Sequence, residues 1–257
     1  MGRAQALRRS RSAARRGDGT LVGYAKRPQD ARPTAELVEL LGQLARTPDT
    51  TAAVVSGRSR ADLEAWFGGV AGLWLAAEHG AVIRPPDTAQ WEYSYTGYTP
   101  EWKRDVYPFL EHYADRTPGS FVEEKEFSLV WHYRMSDPEF GEWLANELVH
   151  DLEQMLATTP LRAVRGQKSV EVKLMWANKG EVMGRLLKQC PAPDFLLAAG
   201  DDRTDEDLFV RLPATAWTIH VGENESRARF RLPGPEQVCL LLRDFVAGRG
   251  AASGQTA

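Results

Sequence analysis

An apolar run that ends in a cluster of carboxylates constrains this chain more than any other stretch. Residues 196–199 are apolar, and Gly200 is followed by five acids within seven residues: Asp201, Asp202, Asp205, Glu206 and Asp207. Such a run is typical of a buried parallel strand whose carboxyl end opens onto a site. Because the acids repel one another, their clustering favours a hard divalent cation such as Mg²⁺. The alternative is a solvated loop that leads into an Asp-rich helix start, with Thr204 or Asp205 as the N-cap.

Strand and helix patterns alternate on both sides of this acidic stretch. Short apolar strands that alternate with amphipathic helices are typical of an α/β fold with a parallel sheet. Thr34 can cap the first helix, which Pro48 ends. The predicted strands are 52–55, 73–77, 195–200 and 216–221, and the predicted helices are 34–46, 59–67, 178–189, 206–212 and one that starts at Pro235.

The middle of the chain has a different, α+β character and looks inserted into the α/β unit. Helices are predicted over 101–116, with a kink or restart at Pro108, and over 137–158. Strands are predicted over 121–126, 127–134, 161–164 and 169–173. The chain is therefore divided into a basic segment (1–16), a discontinuous core (17–96 and 174–247), a cap (97–173) and a disordered tail (248–257).

Composition excludes several classes of protein. The chain has 257 residues, enough for a sizeable core, and its net charge of -3 gives no reason to expect nucleic acid as a partner. Two cysteines, Cys190 and Cys239, do not suggest a disulfide framework, so we expect a reducing, cytoplasmic environment. Since no apolar run approaches ~18 residues, we expect no transmembrane helix and no membrane partner.

The first seventeen residues are the anomaly. They carry no acid, two serines and six arginines: Arg3, Arg8, Arg9, Arg11, Arg15 and Arg16. This composition resembles an organellar transit peptide or a basic arm. A disordered tail, or a start outside the ancestral reading frame, is the favoured alternative. An arm that binds nucleic acid is disfavoured because no aromatic residue interleaves the arginines.

Four short polar motifs occur where predicted strands end. In chain order they are Asp18-Gly19-Thr20, Ser56-Gly57, Asn178-Lys179-Gly180 and Gly200-Asp201-Asp202. Each alone is a common loop sequence, but their order, with a folded insert between the second and third, is specific. Together they resemble the four motifs of the haloacid dehalogenase phosphohydrolases. The resemblance implies a Rossmann-like parallel sheet core with an inserted α+β cap.

Segments of the insert narrow the resemblance. Residues 118–125, 128–134 and 170–172, together with 200–207, are similar to trehalose-6-phosphate phosphatases, and the resemblance covers about 17–247. It implies Mg²⁺-dependent hydrolysis of trehalose 6-phosphate to trehalose and phosphate, a step of trehalose biosynthesis. A trehalose-phosphate synthase is a possible partner of such a protein.

The resemblance also assigns roles at the phosphate. Ser56 would hydrogen-bond a phosphoryl oxygen, and Lys179 would hold the phosphate and offset its charge. Asp18 would be the general acid for the leaving sugar oxygen and then the base for water. The implied metal ligands are Asp18, Asp201 and Asp202, with Asp205 behind them. Taken alone, Ser56 could be an ordinary helix cap and Lys179 a solvated lysine.

In the cap, the residues that match sugar-binding positions are Glu123, Lys125, Arg134 and Glu171, with either Lys168 or Gln167 beside them. Such side chains supply the acceptors and donors that sugar hydroxyls need. A surface ion pair is the alternative for Glu123 and Lys125. Trp131 and Tyr133 are predicted in the cap core, while His132 and Arg134 share the opposite, cleft-facing side of that strand. A structural role is expected for His79.

The chain departs from the family at the first motif. Arg16 stands where the family has its nucleophilic, metal-binding Asp, and residues 4–16 are too basic for a strand buried on both faces. Because a guanidinium is protonated and not nucleophilic, we expect activity to be lost or severely reduced. An altered N-terminal segment on an otherwise normal phosphatase is one hypothesis, favoured by the intact remaining motifs. The other is a non-catalytic sugar-phosphate-binding or regulatory module, such as the phosphatase-like half of a synthase fusion.

Overall fold

The computed structural model describes residues 19–23, 25, 30–97, 99–189 and 193–253. Arg16 and Asp18 lie outside these residues. The helices α1 to α7 are Ala35–Arg46, Arg60–Phe67, Lys103–Asp115, Pro138–Leu156, Lys179–Gln189, Arg203–Arg211 and Pro235–Ser253. The strands β1 to β11 are Ala52–Val55, Leu73–Ala77, Val82–Arg84, Glu92–Tyr93, Phe121–Glu124, Ser128–His132, Leu161–Gly166, Ser169–Leu174, Leu197–Gly200, Trp217–Val221 and Phe230–Leu232.

The α/β core contains parallel strands, as the sequence predicts. β1 pairs in parallel with β2, and β9, β10 and β11 form a second, parallel sheet in the order β11-β10-β9. Parallel neighbours need crossover connections, and α2 and α6 lie between the strands that they join. The antiparallel strands β3 and β4, which extend the first sheet, were not predicted because they are only three and two residues long.

Helix starts in the core follow from polar caps. The Oγ atoms of Thr34 and Ser59 accept hydrogen bonds from the backbone N–H groups of Leu37 and Asp62, so both predicted helix starts are confirmed. The start of α6 was predicted wrongly. Asp202 is its N-cap, and the helix therefore begins at Arg203 rather than at residue 206.

The inserted α+β unit, from α3 to β8 (residues 103–174), is called the insert below. Its sheet is antiparallel throughout, in the order β5-β6-β8-β7, with α3 against β5 and β6 and α4 against β7 and β8. Trp131 and Tyr133 are buried with their rings stacked at 4.9 Å, so their predicted place in the interior is confirmed. α3 runs through Pro108 as one helix, without a restart.

Core and insert share one hydrophobic cluster. Leu75 of β2, Phe127 just before β6 and Leu148 of α4 are all buried in it. Two linkers carry the chain into and out of the insert, and their aromatic rings meet. Tyr95 in the first linker stacks on Trp176 in the second, with 5.1 Å between ring centroids. The entry to the insert and the exit from it therefore lie side by side.

The C-terminal helix is longer than expected. α7 continues to Ser253, so residues 248–253, which we assigned to a disordered tail, are helical. The helix is anchored by the buried Val238, and once it is formed, each further residue adds a hydrogen bond at little cost. The alanines and the arginine in this stretch favour a helix, whereas its two glycines led us to expect disorder.

Among the residues that the structure describes, no helix has the length and apolar character needed to cross a membrane. Cys239 is a free thiol, and burial raises its pKa above the ordinary value. Cys190 lies outside the described residues.

Candidate active site

A cavity of about 400 Å³ lies where the carboxyl ends of β1 and β9 face the insert. Ligands of open α/β sheets bind at this edge. The predicted site residues that line it are Ser56, Lys179, Asp201, Asp202 and Asp205 from the core, and Glu123, Lys125, Arg134 and Glu171 from the insert. Side chains from distant parts of the sequence thus meet in one place. Below, the part formed by the core is the core end, and the part formed by the insert is the insert end.

The first and fourth motifs meet at the core end. Thr20 Oγ1 donates a hydrogen bond to Asp201 Oδ1, although 181 positions separate the two residues. The turn before Thr20 requires glycine, because Gly19 has a φ of 133° and a Cβ atom there would lie 2.2 Å from the carbonyl oxygen of Val22. The bond orients the Asp201 carboxylate at the edge of the cavity.

Asp202 and Asp205 organise the start of α6. Asp202 Oδ1 accepts hydrogen bonds from the backbone N–H groups of Thr204 at 2.7 Å and Asp205 at 3.2 Å. In return, Asp205 Oδ2 accepts from the N–H groups of Asp201 and Asp202, at 3.0 and 3.1 Å. This reciprocal arrangement is a capping box. Gly200 makes room for it, since a Cβ atom at Gly200 would lie 2.2 Å from Asp205 Cγ.

Lys179 supplies the cation of the core end. Its Nζ donates to Asp205 Oδ1 at 2.8 Å and lies 3.8 Å from Asp202 Oδ1. Burial alone would lower the Lys179 pKa, but the two carboxylates raise it above its usual value. Burial raises the pKa of Asp205 to about 6. For Asp202 burial acts in the same direction, but the charge of Lys179 and the hydrogen bonds from Thr204, with smaller contributions, together outweigh it and lower the pKa to about 2. The ammonium group therefore stays charged at neutral pH.

The carboxylates of the core end meet part of the requirements of a Mg²⁺ site. Mg²⁺ prefers oxygen ligands, and Asp201 and Asp202 line the cavity on consecutive residues. Asp205 is directed at Lys179 instead. Within residues 19–253, apart from the gaps given above, no three carboxylate, imidazole or thiol side chains come together as a metal site. The described residues thus offer two ligands, and the third expected one, Asp18, lies outside them.

The loop after β1 brings Ser56 and Arg58 to the same end of the cavity. Ser56 Oγ accepts a hydrogen bond from the Arg58 N–H at 3.1 Å, and the Ser56 N–H donates to the carbonyl of Ala76 at 2.9 Å. The Arg58 guanidinium lies over the Trp66 ring, 5.2 Å from its centroid, and both residues line the cavity. Sequence reasoning included only Ser56 and Gly57 in the motif and gave Arg58 no role. Its positive charge next to this motif was the signal that could have identified it.

On the insert, β5 and β6 present an acid–imidazole pair. Glu123 Oε2 and His132 Nε2 are 2.7 Å apart, and Phe121 stacks on the His132 ring at 4.8 Å. Burial would raise the Glu123 pKa, but the hydrogen bond to His132 and the charge of Lys125 lower it. His132 and Arg134 both line the cavity, on the side of the strand that the alternation predicted.

A second acid–imidazole pair joins the insert to the core. His79 Nε2 lies 2.8 Å from Glu171 Oε2, and Lys125 Nζ lies 4.0 Å from the other oxygen of that carboxylate. Lys125 also donates to the carbonyl of Gly57 at 3.0 Å. Burial opposes ionisation of Glu171, but His79 and Lys125 hold its pKa well below the usual range. His79, for which we expected a structural role, therefore contacts a predicted sugar-binding residue.

The tip of the β7–β8 hairpin settles which of two neighbours faces the cavity. Gln167 lines it, and its carbonyl accepts a hydrogen bond from the Arg134 guanidinium at 2.8 Å. Lys168, which we placed among the substrate-binding residues, does not line it. Its φ is 62°, and its ammonium group is directed to Glu142, 2.9 Å away. The geometry thus favours Gln167 over Lys168, whose role in substrate binding stays a prediction.

The two ends of the cavity suit different parts of a ligand. The core end offers a buried ammonium, a guanidinium and a hydroxyl group, which suit an anion such as phosphate. The insert end offers ionised carboxylates, an imidazole, an ammonium and a guanidinium, which together accept and donate hydrogen bonds as a polyhydroxylated group requires. The arrangement therefore fits a phosphorylated sugar.

Comparisons with known proteins agree with this geometry. A family model described as trehalose-phosphatase matches residues 17–235. The trehalose-phosphatase of Schizosaccharomyces pombe is 34% identical over 241 residues, which cover 89% of this chain and 30% of that protein. The bifunctional trehalose-6-phosphate synthase/phosphatase of Thermoproteus tenax is 40% identical over 215 residues, covering 84% of this chain and 29% of that protein.

The fold has a solved counterpart. The structure of the Candida albicans trehalose-6-phosphate phosphatase C-terminal domain superposes with a TM-score of 0.83 at 30% identity, covering 90% of each chain. The likeness confirms the α/β core of the haloacid dehalogenase type. The chain spans less than a third of the length of the curated relatives named above. From the family model, which covers most of its length, and from these relatives, the chain belongs to the trehalose-phosphatase family of phosphate-monoester hydrolases.

Proposed function

We propose that the cavity binds trehalose 6-phosphate, with the phosphate at the core end and the disaccharide against the insert. The reaction of this site in the family is hydrolysis to trehalose and phosphate. One observation carries the proposal: a single cavity joins Lys179 and Ser56 to Glu123 and Glu171. A ligand without phosphate would leave the core-end cation unused, and a ligand without a sugar would leave the insert end unused.

At the core end, Lys179 would hold the phosphoryl oxygens. Asp202 and Asp205 keep its ammonium group charged and in place before any ligand arrives. Ser56 Oγ would donate to another phosphoryl oxygen. Phosphoryl transfer depends mostly on positioning and charge stabilisation, and groups that are already oriented need no reorganisation during the reaction.

Asp201 and Asp202 would hold Mg²⁺, with Asp18 as a further ligand. The bound ion would neutralise charge on the phosphoryl oxygens. Asp205 supports this arrangement because its carboxylate accepts the backbone N–H groups of both ligand residues. A set of carboxylate oxygens is the ligand type that Mg²⁺ uses in phosphate chemistry.

At the insert end, the sugar hydroxyls would contact Glu123, Lys125, Arg134 and Glu171, with Gln167 rather than Lys168 beside them. The two carboxylates accept hydrogen bonds, and the cationic and amide groups donate them. Both carboxylates have lowered pKa values and so remain ionised at neutral pH. Hydrogen bonds to charged groups are stronger than neutral ones, which favours binding of a neutral disaccharide.

The chemistry itself depends on residues at the first motif. Asp18 would protonate the leaving sugar oxygen and then take a proton from water. Arg16 occupies the position of the family's nucleophilic carboxylate and cannot form an acyl phosphate. We therefore expect binding of trehalose 6-phosphate to persist and turnover to be absent or lowered by many orders of magnitude.

Phosphate release by two versions of the chain tests this proposal. One version is the chain as it stands, and the other carries an apolar strand in place of residues 1–16 that ends in Asp at position 16. With Mg²⁺ and trehalose 6-phosphate, only the second version should turn over, and Lys179→Met in that version should abolish the activity. Turnover by the unaltered chain at a rate ordinary for an enzyme would overturn the role given to Arg16.

A second candidate is a binding or regulatory module without turnover. The placement of Arg16 at the nucleophile position, inferred from the sequence, would fit it. One observation favours it: some relatives are named as trehalose-phosphate synthases, such as one from Arabidopsis thaliana of which this chain covers 29%. In such a module the partner would be a synthase. Binding of trehalose 6-phosphate by both versions without turnover by either, together with co-elution with a synthase domain, would favour this candidate.

A further inference from the structure

A left-handed turn lies directly between the two ends of the cavity. Glu78, His79 and Gly80 follow β2 and have φ angles of 46°, 60° and 94°. Residues other than glycine adopt this conformation rarely and at a cost, so two in a row require surrounding contacts that hold them. Both side chains are buried, at 2% and 5% exposure, which shows that such contacts exist.

The backbone of the turn is tied to the phosphate-binding loop. The Glu78 N–H donates to the carbonyl of Arg58 at 2.9 Å, and the His79 N–H donates to the carbonyl of Ser56 at 2.8 Å. Gly57 allows the close approach, since a Cβ atom there would lie 2.7 Å from the His79 ring. The position of His79 is thus fixed by the same loop that presents Ser56.

The side chains of the turn reach across to the insert. Glu78 accepts hydrogen bonds from the backbone N–H groups of Glu126 at 3.2 Å and Phe127 at 2.7 Å. His79 Nε2 reaches Glu171 Oε2 on β8, 92 positions later in the chain. The turn therefore connects the core to two parts of the insert, the loop between β5 and β6 and the strand β8.

The hydrogen bonds of His79 and Glu171 indicate which tautomer His79 adopts and which oxygen of Glu171 is left without a hydrogen-bond partner. In the part of the chain that the structure describes, neither His79 Nδ1 nor Glu171 Oε1 has a hydrogen-bond partner, although both atoms are buried. A proton on Nε2 gives Glu171 a donor and leaves Nδ1 without an N–H to satisfy, so this tautomer fits the site. Glu171 lines the cavity, and its Oε1, 4.0 Å from Lys125 Nζ, accepts no hydrogen bond among the described residues, so this carboxylate has capacity left for a ligand hydroxyl.

We propose that His79 is a positioning residue: from the core, it holds the Glu171 carboxylate in the orientation in which it meets the sugar of the bound sugar phosphate. The proposal rests on the function proposed above. Because the His79 backbone is fixed by the Ser56 loop, the sugar-binding carboxylate is set at a defined distance from the phosphate. His79 thereby makes recognition of the sugar depend on the docked arrangement of core and insert.

Three variants of His79 test the role without removing a group that contacts phosphate. His79→Asn suits the left-handed backbone but is too short to reach Glu171, His79→Phe keeps the ring without a donor, and His79→Gln can restore a donor. His220→Phe is the matched control, because His220 is also a buried histidine and, among the described residues, neither of its ring nitrogens has a partner. It does not line the cavity.

The measurement is calorimetric affinity of the full chain, with Mg²⁺, for trehalose 6-phosphate and separately for inorganic phosphate. We expect His79→Asn and His79→Phe to weaken trehalose 6-phosphate binding about tenfold or more and to leave phosphate binding within twofold. His79→Gln should recover most of the loss, and His220→Phe should change neither affinity.

The outcomes separate the possible failures. Unchanged binding of trehalose 6-phosphate by both His79→Asn and His79→Phe would overturn the positioning role. A parallel loss for both ligands would also overturn it, because it would show a general structural role. If the unaltered chain binds phosphate but not trehalose 6-phosphate, the proposed function fails and this inference falls with it. Should His79→Phe fail to fold, His79→Asn, whose side chain tolerates the left-handed conformation, decides the question.

Discussion

The two ends of the cavity are both built from paired charges, but the pairs are made differently. At the core end, Lys179 is paired with Asp202 and Asp205, and all three belong to the core. At the insert end, Glu171 of the insert depends on His79 of the core, and Lys125 of the insert reaches the core carbonyl of Gly57. The described residues proposed to bind phosphate are therefore held within the core, whereas those proposed to bind the sugar are held by contacts between the insert and the core.

This difference implies an order of recognition. A buried ion pair within one rigid unit is oriented before a ligand arrives, which suits a strongly charged group such as phosphate. Contacts that span two units are lost together when the units separate, so they suit the part of the ligand that gives specificity. The comparison predicts that changes at the core end reduce both phosphate and sugar-phosphate binding, and that changes at the insert end reduce only the latter.

The largest effect is expected for Lys179→Met. It leaves the buried carboxylates of Asp202 and Asp205 without their cation, and removal of one partner from such a pair typically costs about 3–5 kcal/mol. We expect the free energy of unfolding at pH 7, without metal, to fall by about 3 kcal/mol, and phosphate binding to be lost. Urea denaturation measures the first and calorimetry the second.

The pH dependence of the stability of Lys179→Met tests whether unpaired carboxylates cause the loss. Burial already raises the Asp205 pKa, to about 6, so a proton relieves the unpaired charge as the pH falls. The deficit of Lys179→Met should therefore shrink at pH 5. Lys188→Met, an exposed position on the same helix, is the control and should be nearly neutral. An equal loss of unfolding free energy at pH 5 and pH 7 would contradict the role given to the unpaired charge of Asp205.

The next effect concerns Lys173, a buried lysine on β8 whose nearest partner is a carbonyl. Its Nζ donates to Ala177 O at 2.8 Å, and burial lowers its pKa to about 8. Below pH 8 the folded protein carries the cost of a buried charge, and between pH 8 and 10 the folded state loses this proton before the unfolded state does. Stability should rise with pH over that range, by up to about 3 kcal/mol.

Lys173→Met tests this directly. The variant should be more stable than the unaltered chain at pH 7 by about 1–2 kcal/mol, because the charge is removed while one hydrogen bond is lost. Its urea midpoint should change little between pH 8 and 9.5, where that of the unaltered chain rises. A variant less stable at pH 7 would show that the hydrogen bond to Ala177 outweighs the cost of burying the charge.

A smaller effect, confined to the ligand, is expected for Glu123→Gln. The change removes the charged acceptor that His132 orients, so affinity for trehalose 6-phosphate should fall about tenfold while phosphate affinity stays within twofold. Glu124→Gln is the matched control, because Glu124 is the next residue on β5, does not line the cavity and pairs with Lys103. A comparable loss of phosphate affinity would remove the distinction between the two ends.

The smallest effect is expected for Lys168→Ala. Its ammonium group is on an exposed pair with Glu142, and such pairs contribute little. Affinity for trehalose 6-phosphate should stay within twofold, whereas Gln167→Ala should weaken it several-fold. Calorimetric titration of each variant with trehalose 6-phosphate measures the two affinities. A stronger effect at Lys168 than at Gln167 would restore the assignment made from the sequence.

The parts that sequence reasoning predicted are those set by local chemistry. Thr34 and Ser59 cap helices through hydrogen bonds within three residues, and the alternation on β6 separates Trp131 from His132 because neighbouring strand residues face opposite sides. Ser56 and Asp201 line one cavity because the carboxyl ends of parallel strands share one edge of a sheet, whereas Asp18 lies outside the described residues.

The parts that were missed depend on contacts that are distant in sequence or on special backbone angles. His79 acquires its role from Glu171, 92 positions away. Lys168 turns away from the cavity because it adopts a left-handed φ at the hairpin tip, a position where either of two neighbours could face inward. Asp202 was recognised as a potential ligand but not as the N-cap of α6, since one carboxylate can serve both purposes.

The stacked rings of Tyr95 and Trp176 have a consequence for folding. They bring together two points 81 positions apart, at the entry to and exit from a unit whose sheet is made from neighbouring strands. If the insert folds early, the core no longer has to close that long loop to bring Ser56 and Asp201 together. Bypassing these 81 positions roughly halves the effective loop between Ser56 and Asp201 and saves about 0.7 kcal/mol of loop-closure free energy, so an insert that folds early would also ease assembly of the core.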